Sequence, residues 1–170
     1  MTTATLPARR IFDWRFMATS FAFTVLGTLV LLAAASLISG GARINYGRTP
    51  WALIIHVGTV IPALILGAPV LLMKKGTARH KMMGRIWASL MMVTAISSFW
   101  LQGLTGSIGP IHIFSVITIV SIPRAILAAR RGDLVAHRRG MIGPYIGLFV
   151  AGLFSFLPDR MMGQIAFSLF

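Results

Sequence analysis

Four histidines carry most of the chemical potential of this sequence, and they fall into a pattern. His56 sits one turn into an apolar run that opens at Trp51 and continues without charge to Met73; Lys74-Lys75-Gly76 follows, then His80-Lys81. The plan recurs. His112 opens a second apolar run to Ala129, and Arg130-Arg131-Gly132 leads to His137-Arg138. His56 to His80 is 24 positions and His112 to His137 is 25, so both stretches read as one kind of helical hairpin. Imidazole is a good ligand for haem iron, and two facing histidines can hold one haem.

Other chemistries find little support. The only acids are Asp13, Asp133 and Asp159, all outside the expected spans. No carboxylate pair is available for acid–base work, and no buried acidic residue for a proton relay. The chain has no cysteine, no glycine-rich phosphate loop, no His-Glu-x-x-His and no serine elbow. Zinc fits poorly, because structural sites want four closed ligands and the histidines divide two and two.

The elements that position these residues are membrane helices. Of 170 residues, 56% are hydrophobic and 11% charged, with mean hydropathy +0.84. A soluble domain carries roughly 25% charged residues. The expected fold is a single all-α integral membrane domain over 1–170, with five transmembrane helices at about 16–39, 51–73, 81–104, 111–129 and 140–157 and an apolar tail at 161–170. Helices two to five form a four-helix bundle of two similar hairpins, a natural housing for a cofactor. Pro62 and Pro69 lie inside the second helix, where neighbouring helices can satisfy the freed carbonyls.

Basic residues set the orientation. Thirteen of the 16 Lys and Arg fall on one side, near the amino terminus and the two basic turns; Arg43, Arg48 and Arg160 fall on the other. The positive-inside rule then puts the amino terminus in the cytoplasm of a bacterial inner (plasma) membrane and the carboxyl terminus outside. The same bias accounts for the net charge of +13 without nucleic acid. It predicts attraction of anionic lipid to the inner face. Trp14, Trp51, Trp87 and Trp100 lie near expected helix ends and read as interface anchors.

In this topology His56 and His112 form an outer pair and His80 and His137 an inner pair, each from alternate helices. That layout resembles the ascorbate-reducible dihaem b-type cytochromes. The sequence itself resembles an uncharacterised bacterial membrane family, the domain of unknown function 2306. The matching features are His56 in an early helix, His80-Lys81-Met82-Met83-Gly84-Arg85, Arg131-Gly132-Asp133 leading to His137-Arg138-Arg139-Gly140-Met141-Ile142, and Arg160 after the last helix. Many members have an aromatic where this chain has Gly140. This resemblance supports the fold and marks residues; it supplies no reaction.

The expected function is a membrane-embedded electron carrier with haem b, with quinone as a candidate redox partner. His56 and His112 are the candidate iron ligands, His80 and His137 candidates for a second group, and Arg160 a cofactor-side residue. Ala52, Thr59, Ala63 and Gly67, on the face of His56, leave room for a flat macrocycle or a close helix. The alternative is a non-enzymatic accessory subunit packing on a larger membrane complex. Each histidine also has a plainer use, as an interhelical hydrogen-bonding group or a lipid-phosphate contact. From His56 to Met73 is 17 residues, roughly 26 Å of helix rise, a long gap between two haems.

Overall fold

The computed structural model describes residues 50–101 and 108–157. The expected first span, Arg43, Arg48, Gln102, Asp159, Arg160 and the apolar tail lie outside them. Among the described residues the chain is all-helical, with four α-helices and no strand: α1 (Pro50–Leu72), α2 (Ala78–Ser97), α3 (His112–Arg130) and α4 (Leu134–Ser155), with a 3-10 turn over Ser98–Trp100 after α2. At 23, 20, 19 and 22 residues the helices are roughly 28–35 Å long, close to the hydrocarbon thickness of a bilayer. Trp51–Leu72, Ala78–Trp100 and His112–Arg130 are long and apolar enough to cross a membrane.

Two helices begin earlier than expected, for the same reason. Gly76 and Gly132 adopt φ of 79° and 83°, a left-handed turn that glycine enters without a Cβ penalty. Each is followed by a capping residue. The Thr77 hydroxyl accepts from the His80 N–H at 3.1 Å, and the Asp133 carboxylate accepts from the Ala136 N–H at 2.9 Å. A capped first turn satisfies donors that would otherwise be orphaned. The basic connections therefore shrink to a few residues, and His80 and His137 become part of α2 and α4 rather than of loops.

α1 packs along α2, and α3 along α4; α2 and α3 join the two pairs, with a smaller contact between α1 and α4. Small residues line these contacts. Ala52, Ala63, Ala88, Ala95 and Ala125 are buried, while Ile54, Ile65 and Leu72 are 65%, 62% and 79% exposed. A water-soluble bundle would hide its large aliphatics; here they face outward, and small side chains let backbones approach, as expected in lipid. Gly140 illustrates the closeness: a Cβ there would lie 2.7 Å from the Ala125 Cβ. An aromatic at this position has no space in this chain.

Trp87 corrects one expectation. It is not an interface anchor but a core residue, 1% exposed. Its Nε1–H donates to the Ala63 carbonyl at 2.9 Å, and its ring meets Tyr145 edge-on at 6.2 Å. The early start of α2 places Trp87 almost three turns into the helix, near its middle. Trp51 and Trp100 are half-exposed, their rings tilted against each other at 5.6 Å at one end of the bundle.

Candidate functional site

The four histidines separate into two ends. His56 near the start of α1 and His112 at the start of α3 share one end with the last turn of α2; His80 and His137 sit in the first turns of α2 and α4 at the other. Within each pair the rings lie in electrostatic range of one another.

His56 and His112 grip the same turn of α2 from two sides. His56 Nδ1 lies 3.0 Å from the Thr94 carbonyl and 3.2 Å from Ser97 Oγ. A carbonyl only accepts, so Nδ1 carries the proton and Nε2 is left with its lone pair. Nε2 has no hydrogen bond among the described residues. His112, 5% exposed, is differently placed. Its Nε2–H donates to the Ser98 carbonyl at 3.1 Å, and its Nδ1 accepts from the Gly109 N–H at 3.1 Å. Both ring nitrogens are in use. Both carbonyls already accept a backbone N–H, Thr94 from Ser98 and Ser98 from Leu101, and each histidine bonds the oxygen in addition, tying its own helix to the end of α2.

A hydroxyl network joins these bonds, and of its members only Thr59 was singled out from the sequence. Thr94 Oγ1 donates to Thr59 Oγ1 at 2.8 Å, Ser97 Oγ to the Thr94 carbonyl at 3.1 Å, and Ser98 Oγ pairs with Ser115 Oγ at 2.7 Å. Thr94, Ser97 and Ser98 were visible as a cluster of hydroxyls in an apolar span. Only the pairing of α2 with α1 and α3 reveals what they hold.

The room expected beside His56 is partly taken. Ala52 and Ala63 are fully buried in helix contacts. Tyr145 and Trp87 fill the space above Gly67, where a Cβ would overlap the Tyr145 ring at 2.2 Å. Of the two uses open to these small residues, this fold takes close packing.

At the opposite end His137 Nδ1–H donates to the Ala125 carbonyl at 2.9 Å, which leaves Nε2 with its lone pair. His80 Nδ1 is buried with no hydrogen-bond partner, a situation that costs about 1–3 kcal/mol when left uncompensated. Lys75 folds back onto the end of α1, its Nζ donating to the Val70 carbonyl at 3.3 Å and to that of Leu71. Partial desolvation there, followed by repulsion from Arg138, holds the Lys75 amine below the usual lysine range. Among the described residues no three His, Cys, Asp or Glu side chains converge as a metal site.

With the helices and their histidines placed, the match to known sequences is informative. The family described as predicted membrane protein, domain of unknown function 2306, matches residues 53–165. This chain belongs to that family. The match spans α1 to α4 and includes all four histidines. No curated protein and no solved structure matches the chain.

Proposed function

We propose that this family member is a membrane-embedded electron carrier of the b-haem type, coupled to quinone, with His56 as its leading iron ligand. The reading rests on one observation above others: the His56 Nδ1–H is tied to the Thr94 carbonyl at 3.0 Å, while Nε2 has no hydrogen bond among the described residues. Metal-bound histidines characteristically donate their second ring N–H to a carbonyl or carboxylate, which fixes the tautomer and aims the lone pair. His112 is the second ligand of this outer pair. It must first exchange its bonds to Ser98 and Gly109 for the iron. When bound, haem supplies one-electron exchange; the residues of the chain hold it, orient it and exclude water.

The reading includes a larger frame. An amino-terminal span precedes α1, and α1 to α4 form a bundle of two similar hairpins. The basic connections face the cytoplasm of a bacterial inner membrane and the carboxyl terminus lies outside. The 13-to-3 division of basic residues supports this orientation. Arg160 is proposed to face the cofactor from the outer side.

Optical spectra of the detergent-purified chain, oxidised and then dithionite-reduced, test the proposal. Sharp reduced bands are expected, lost in His56→Ala and weakened or lost in His112→Ala. A flat spectrum from folded protein expressed with added haem would sink it.

A second reading has its own support. His112 has both nitrogens satisfied, as a purely structural histidine does. An accessory subunit of a larger membrane complex needs no more. On that reading the protein co-purifies with a partner, and His56→Ala and His112→Ala lower its stability without abolishing its function.

A further inference from the structure

The last turn of α2 brings three donors to one acceptor. The Thr94 carbonyl takes the Ser98 N–H, the Ser97 hydroxyl at 3.1 Å and the His56 Nδ1–H at 3.0 Å. A carbonyl oxygen has two lone pairs, so three bonds oversubscribe it. Ser97 Oγ lies 3.2 Å from the same His56 nitrogen and takes a share of its proton. Thr94 and Ser97 are both buried, so these bonds are made away from solvent.

Of the two groups bonded to His56 Nδ1, the carbonyl only accepts, whereas Ser97 could accept or donate. A Ser97 hydroxyl turned to Nδ1 would leave the imidazole proton on Nε2. A bare Nδ1 would then face the Thr94 oxygen, lone pair to lone pair. The bond from Ser97 to Thr94 prevents this, because it commits the hydroxyl proton to the carbonyl and leaves Oγ as an acceptor. A second pair of hydroxyls braces the arrangement. Thr94 Oγ1 donates to Thr59 Oγ1 at 2.8 Å, and Thr59 Oγ1 donates to the carbonyls of Ile55 and His56 at 2.8 and 3.2 Å. The ring and its acceptors are thus held by both α1 and α2. His112 is the contrast: backbone groups meet both its nitrogens, and its proton lies on Nε2.

We infer that Ser97 is a positioning residue for His56: it fixes the imidazole proton on Nδ1 and so keeps Nε2 bare for a Lewis acid. The consequence for iron rests on the electron-carrier reading above; the placement of the proton does not. Partners of this kind, which bond the far nitrogen of a metal-bound histidine, typically change metal affinity by about 10–100-fold when lost.

Nitrogen NMR of the full chain in detergent, with its histidines labelled by the heavy isotope, tests the inference at about two pH units above the ordinary histidine pKa. The four histidines are assigned by single substitutions, and ring nitrogens with and without a proton differ widely in shift. The expected His56 spectrum shows a protonated Nδ1 and a bare Nε2. Ser97→Ala lowers the ratio of this tautomer to the other about fivefold, the effect of one hydrogen bond, and Ser97→Thr restores it. Ser98→Ala removes the neighbouring hydroxyl and its bond to Ser115 and leaves the ratio unchanged. Circular dichroism checks the fold; Ser97→Cys, with a weaker hydrogen-bonding group, takes the place of the alanine variant if that one does not fold. A bare Nδ1 in the wild type overturns the inference. So does a ratio unmoved in Ser97→Ala, or moved equally in Ser98→Ala, which marks a general loosening of the helix end. In haem-loaded protein Ser97→Ala is expected to weaken haem retention about tenfold, and unchanged retention overturns the step from proton to iron. A wild type that takes up no haem sinks the electron-carrier reading, while the nitrogen spectra still decide the role of Ser97.

Discussion

At the scale of single residues, the four histidines show what a sequence carries and what it omits. Their number, spacing and division into two pairs are legible in the chain, because membrane helices of fixed rise place them at opposite ends. Their hydrogen bonds are not. His56 and His112 looked equivalent, yet among the described residues one retains an unpartnered nitrogen and the other has none. His56 turns to Thr94, 38 positions away, and His112 to Ser98, 14 positions away, pairings that only helix packing makes, while Gly109, three positions away, meets the other nitrogen of His112. Trp87 was misread for a related reason. Tryptophan prefers the membrane interface, but a buried carbonyl at Ala63 gives its N–H a better partner. Replacing Trp87 with Phe keeps most of the volume and strands that carbonyl contact. The expected cost is about 1–2 kcal/mol, seen as a lower Tm in detergent with unchanged helix content.

At the scale of elements, the two hairpins were legible as a repeat, and the structure gives the repeat a mechanism. Two basic residues, a glycine with positive φ and a capping side chain recur in the order Lys74-Lys75-Gly76-Thr77 and Arg130-Arg131-Gly132-Asp133. The caps moved the starts of α2 and α4 forward by several residues from their expected positions. Hydropathy reports where lipid begins, whereas helices begin where their first N–H groups are satisfied, and basic residues in a capped first turn separate the two. The close approach of α3 and α4 follows from one absent side chain. Gly140→Ala pushes a methyl group to within 2.7 Å of the Ala125 Cβ, with no flexible end to move away. Overpacking of this kind costs about 1–3 kcal/mol. Pairing the change with Ala125→Gly should recover part of it, and thermal unfolding of the single and double variants measures both.

At the scale of the whole molecule, a membrane protein was plain from composition, and the outward display of large aliphatics over buried alanines agrees with it. Topology makes the next prediction. Single cysteines introduced at Lys74 or Arg131 into this cysteine-free chain should be shielded from a membrane-impermeant thiol reagent in intact cells and labelled in inverted vesicles. The reverse result would turn the molecule over and with it the assignment of inner and outer ends. The two halves are also less alike than the repeat suggests. In the first, the histidine follows its cap by three residues; in the second, by four. One residue of helix swings a side chain by about 100° and lifts it by about 1.5 Å. The two imidazoles therefore approach the space between them at different heights and from unmatched directions. Two copies of either hairpin, paired about an exact axis, would present a guest with identical sides and let it enter either way round. The covalent joining of two unequal halves removes that degeneracy, and would give an unsymmetrical guest, were one held there, a single preferred handedness of fit.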